Sequence, residues 1–162
     1  MRTAAAQKLA EKAEFLKPQP RKEYVNGEGF LYLGRSYRLK LVDDQQTPLK
    51  LIAGRFCLRR DLQTEARLHF IHWYSTKAEI YLNEKVQALA ARMSVEPAGV
   101  KIQDLGYRWG SCGRGNRLYF NWKTILLPRE IVEYVVVHEL AHLHEPHHTP
   151  QFWKRVERVM PD

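Results

Sequence analysis

Five of the seven histidines of this chain fall within eleven residues, from His138 to His148. A neutral imidazole offers one lone pair to a cation, so a cluster of them is first of all a set of metal donors. His138 and His142 are one turn apart on a helix and project from the same face, where a single ion can take both. Glu139 lies about 100° further round the helix. That is too far round to ligate well, but it suits contact with a water held by the metal. The pattern is the His-Glu-x-x-His of zinc hydrolases.

Catalytic zinc takes three protein ligands and keeps a fourth position for water. His144 points to another side of the helix. Glu145 would share the face, but Pro146 disfavours helical geometry at the residue before it. The proline predicts that the chain turns out of the helix there, which lets His147 or His148 fold back to the metal. His148 is the preferred third ligand, His147 the next candidate, and Glu157 on the following helix a more distant one. The same motif can also occur on a surface helix with no metal. Here Val135, Val136 and Val137 precede it, and burying two histidines and a glutamate among valines is costly unless something pairs with them. A metal resolves that conflict.

The elements that must position this cluster read clearly in places. Glu130 to His144 is predicted as one apolar helix, with Pro128 before it and Glu130 and Glu133 in its first turns. Phe30–Leu33 and Tyr37–Val42 alternate around Gly34 as one hairpin, and Leu49–Ala53 and Arg55–Arg59 around Gly54 as another. Residues 63–94 carry apolar residues at helical spacing and include His69 and His72, which are expected to serve packing or surface roles. Residues 100–105 and 117–122 read as strands. Between them lies the Gly-rich segment Arg108–Asn116, which matches no Walker sequence and is expected to be a tight turn. Its Cys112 is a weak candidate for a nucleophile. Residues 3–16 are predicted to be a helix, closed by Pro18 and Pro20 and followed by a linker.

Composition bounds the rest. The chain has 162 residues, 44% hydrophobic and 27% charged, enough for one domain with a core. No apolar run approaches the roughly 18 residues of a membrane span. The opening residues carry both charges too early for a secretory signal, and the two cysteines, Cys57 and Cys112, build no disulfide framework. A cytoplasmic protein without a membrane partner is expected. The net charge of +8 admits nucleic acid as a partner through a basic surface, although spread-out basic residues also describe an ordinary solvated face.

The run Tyr107-Arg-Trp-Gly-Ser-Cys112, then Asn116, Asn121-Trp122, His138-Glu-Leu-Ala-His142-Leu and His148-Thr-Pro-Gln-Phe-Trp153, resembles the YgjP-like predicted metal-dependent hydrolases. These are small zincin-like proteins related in pattern to the SprT and Wss-type metalloproteases. The resemblance covers roughly residues 28–160. It implies an α+β, minigluzincin-like zincin fold, with a small antiparallel sheet packed on an active-site helix and further helices. It also implies one metal per chain on His138, His142 and His148, with Trp109 and Trp153 as packing supports. Residues 1–27 are then an N-terminal helix and linker, and 28–162 the metallohydrolase domain. Family members carry a β-rich segment ahead of this chain's first residue and a short tail after its last, so the chain is expected to be short at both ends.

Together these readings predict a zinc metallopeptidase in which Glu139 serves as general base and then acid. Tyr107 and Arg108 are candidates to stabilise an oxyanion. A nucleoside triphosphate hydrolase on the same metal site, with Arg114 and Arg117 holding phosphates, is one alternative. A protease acting on DNA-bound proteins is another.

Overall fold

The alternating segments of the first third pair as their turns require. In the computed structural model, which describes residues 20–161, β1 (Gly29–Tyr32) and β2 (Arg35–Val42) form an antiparallel hairpin. So do β3 (Leu49–Ile52) and β4 (Arg55–Arg59). Each turn has two residues with positive φ, Leu33-Gly34 and Ala53-Gly54, a backbone whose twist matches that of the flanking strands. The two hairpins join through a parallel pairing of β2 with β4, giving the order β1-β2-β4-β3. This sheet is therefore mixed rather than wholly antiparallel. Local alternation sets each hairpin, but the pairing between them depends on how the 43–48 connection crosses.

After a 3-10 turn at Arg60–Glu65, the predicted long helix runs as α1 (Ala66–Met93). It buries Phe70, Tyr74, Ala78, Leu82, Val86 and Leu89, successive turns of one stripe. Phe30, Phe56, Phe70 and Trp73 interlock between the first sheet and this helix, with Phe30 and Phe70 stacked at 4.3 Å. The Tyr74 hydroxyl donates to the Leu31 carbonyl at 2.6 Å, and burial raises its pKa.

A second sheet follows, in the order β5-β7-β6. β5 (Gly99–Gln103) runs parallel to β7 (Arg117–Asn121), and β6 (Gly110–Cys112) runs antiparallel to it at the edge. The segment read as a Gly-rich turn thus contains a three-residue strand. Such a strand is too short to show periodicity and exists because β7 pairs with it.

Two backbone hydrogen bonds tie the halves together, from Leu33 N to Ile125 O and from Gly34 N to Leu126 O. Gly34 has φ +82°, and a Cβ there would stand 2.9 Å from Pro128 Cα. Pro128 is the cap residue of α2 (Arg129–Ala141), so the first hairpin turn packs against the start of the histidine helix. On α2, Ile131, Val132, Tyr134, Val135, Val136, Val137, Leu140 and Ala141 are buried. So many β-branched residues make a poor isolated helix, and packing against α1 and its other neighbours holds it. α3 (Pro150–Val159) starts at Thr149, whose hydroxyl accepts from Phe152 N, with Pro150 in the first turn. The architecture is α+β. The helix read at 3–16 lies outside the described residues. Among the described residues, no helix is long and apolar enough to cross a membrane.

Candidate metal centre

α2 ends earlier than its sequence suggested. Its last residue is Ala141, and His142 keeps helical angles (φ −66°, ψ −18°) as the cap. Leu143, His144 and Glu145 hydrogen-bond back onto Leu140 and Ala141, and the chain then turns away at Pro146. His142 therefore still projects from the same face as His138, while residues 146–149 reverse direction into α3.

That reversal brings His148 back. Its Nε2 lies 3.1 Å from Nε2 of His142 and 3.2 Å from Nε2 of His138. Of the three candidates for the third position, His148 is the one that joins the cluster; His147 and Glu157 are exposed and outside it. Two edges of a tetrahedron around zinc, at Zn–N of about 2.0–2.1 Å, would measure about 3.3 Å. The observed separations fit that donor set.

The rings are also oriented as donors. Nδ1 of His142 lies 3.0 Å from the Glu145 carbonyl, which only accepts, so Nδ1 carries the proton and Nε2 presents its lone pair. Nδ1 of His138 lies 3.1 Å from Glu139 Oε1, which fixes that ring the same way. Desolvation, reinforced by His138 and His142 and opposed by Glu139, lowers the His148 pKa and favours the neutral ring. Three lone pairs facing one another at these distances repel unless a cation lies among them.

Phe152 underlies all three imidazoles, with ring centroids 5.1 Å from His138, 4.5 Å from His142 and 4.9 Å from His148. Trp153 stacks on His148 at 5.8 Å, a packing role of the kind the resemblance implied. Thr149, capping the helix that carries both aromatics, directly follows the third histidine.

Glu139 is buried, with 7% of its surface exposed, and β6 is its wall. A Cβ on Gly110 would stand 2.9 Å from Glu139 Cγ and 3.4 Å from its Cδ. Behind β6, two buried polar residues clamp the backbone. Asn121 Nδ2 donates to the carbonyls of Gly106 and Arg108, while its own N–H and the Thr124 hydroxyl donate to Trp109 O. Glu139, Asn121 and Thr124 are the buried polar side chains among the described residues, and all three belong to this arrangement. Gly110, Asn121 and Phe152 stand inside the sequence motifs and Thr124 outside them, but nothing in their local spacing signals that they support Glu139 and the histidines.

The other candidates stand apart. Tyr107 is 90% exposed, and Arg108, Arg114 and Arg117 are exposed. Among the described residues, none of the four hydrogen-bonds or ion-pairs with the three histidines; the Arg108 guanidinium reaches only Ser111 Oγ, at 3.4 Å. Cys112 adjoins Glu139, and burial first, then that carboxylate, raises its thiol pKa, the reverse of an activated nucleophile. His72 is exposed and His69 approaches only Glu65, at 3.8 Å, which suits surface and packing roles.

A His-Glu-x-x-His helix with a third imidazole folded onto it defines the class of metal-dependent hydrolases. The chain belongs to the YgjP-like family: the model of the YgjP-like metallopeptidase domain matches residues 3–162. No curated protein matches. Among solved structures, the metallopeptidase zymogen abylysin of Pyrococcus abyssi is 22% identical, with a TM-score of 0.47 over 50% of this chain and 81% of that one.

Proposed function

We propose that the chain is a zinc-dependent peptidase, with His138, His142 and His148 as ligands and Glu139 as general base. The convergence of the three Nε2 atoms beside a buried, walled-in carboxylate carries this reading. Three imidazoles suit zinc among the common divalent ions, and bound zinc supplies Lewis acidity and a water of pKa near 7.

The protein's own groups do the rest. The Glu145 carbonyl and the Glu139 carboxylate hold the His142 and His138 rings in one tautomer. Glu139, fixed between α2 and Gly110, takes a proton from the attacking water and returns it to the leaving amine. His148 is exposed, so the centre faces solvent where an extended peptide can reach it. The exposed positions of Arg114 and Arg117, apart from the histidines, give the nucleotide alternative no support.

The test is cleavage of a reduced, unfolded protein by wild type and by Glu139→Gln, with phosphate release from nucleoside triphosphates assayed alongside. Peptide cleavage lost in Glu139→Gln supports the peptidase. Phosphate release with no peptide cleavage sinks it.

A further inference from the structure

We propose that a cleft between the C-terminal ends of α1 and α3 binds phosphate oxyanions, a site separate from the metal centre. Its volume is about 320 Å³. Arg92, Arg155, Arg158 and His144 line it, over an apolar part formed by Met93 and Val159. Among the described residues, neither aspartate nor glutamate lines it.

The cations come from three separate elements: Arg92 from the last turn of α1, Arg155 and Arg158 from successive turns of α3, and His144 from the segment after α2. Favourable interaction with helix dipoles explains an arginine in the last turn of each helix. It does not explain why both helix ends deliver them to one concave surface, where like charges repel. Internal pairing leaves most of that charge unanswered. Arg92 Nη2 donates to the Val159 carbonyl in a long bond of 3.4 Å. Arg155 Nε lies 3.5 Å from Glu145 Oε1, and Arg158 has no hydrogen-bond or ion-pair partner among the described residues. Among the described residues, Glu145 meets one of the three guanidiniums, each of which can present two parallel N–H groups to a phosphate. The chain's net charge of +8 adds long-range attraction for such a ligand.

The phosphate can belong to a small phosphorylated molecule or to a nucleic-acid backbone, and two probes separate these sources. Inorganic phosphate binding is measured by calorimetry, and binding of a fluorescent single-stranded oligonucleotide by anisotropy at several salt concentrations. Both use the full chain and its Arg158→Gln, Arg92→Gln, Arg35→Gln and His148→Ala variants, with circular dichroism to confirm folding. Arg35 is exposed at the start of β2, so Arg35→Gln makes the same charge change elsewhere. The expected result is a loss of about tenfold in affinity in Arg158→Gln and Arg92→Gln, with Arg35→Gln and His148→Ala close to wild type. Oligonucleotide binding that weakens with salt and is lost in the same two variants assigns the site to a nucleic-acid backbone. Phosphate binding without it assigns the site to small phosphorylated ligands. Three results overturn the proposal: no binding of either probe by wild type, equal losses in all three arginine variants, or loss in His148→Ala alone. The last would place the anion on the metal.

Discussion

Each histidine of the centre is set by a different partner, and the variants should differ accordingly. His148 arrives from a loop and is exposed, so His148→Ala should remove metal while leaving the buried core intact. pH acts on the same ring. Its folded pKa is lowered, so the unfolded chain takes up its proton first. The metal-free fold therefore loses stability as pH falls below about 6.5, and metal release runs in the same direction because protons and metal compete for the same lone pairs. A chelating dye should report release that rises as pH falls; release that does not depend on pH would count against imidazole donors. Cys112 gives the opposite kind of expectation. Its raised pKa leaves it a thiol at neutral pH, so Cys112→Ser should keep most of the activity. Loss of catalysis in that variant, with metal retained, would reopen a covalent mechanism.

At the scale of elements, the decisive contact lies between the edge strand β6 and α2. Gly110→Ala places a methyl group 2.9 Å from Glu139 Cγ, so strand or carboxylate must move. If Glu139 is the general base, activity should fall at least about tenfold, since small misplacements of a catalytic group are costly, while the metal content stays unchanged. A Gly110→Ala enzyme as active as wild type would show that Glu139 is not held by this wall. Asn121→Ala removes three side-chain hydrogen bonds from a buried position and should cost about 1–3 kcal/mol, read as a lower melting temperature. How much was legible follows from the range of the forces involved. The two hairpins, α1 and the histidine helix announce themselves through local periodicity and turn glycines. The His-Glu-x-x-His pair and the turn of the chain at Pro146 were readable for the same reason, although α2 itself already ends at Ala141. β6, the parallel joining of β2 with β4, and the wall that Gly110 makes for Glu139 arise from contacts between distant residues. A glycine in a loop looks alike whether it serves a turn or makes room for a carboxylate.

At the scale of the molecule, the sheets and helices of the described residues serve one small region. The first hairpin turn packs on Pro128 and so on the start of α2; α1 backs α2; and α3 presents Phe152 beneath the three imidazoles. The whole fold thus limits how far the histidines can part. Metal should in turn stabilise the fold, by an amount that grows with free zinc concentration. The proposed function stands on His138, His142 and His148 together holding one zinc. The most direct measurement is elemental analysis after dialysis of wild type, His148→Ala and Glu139→Gln. The expected result is about one zinc per chain in wild type and Glu139→Gln, and a large loss in His148→Ala. No metal in wild type, or equal metal in His148→Ala, would contradict it.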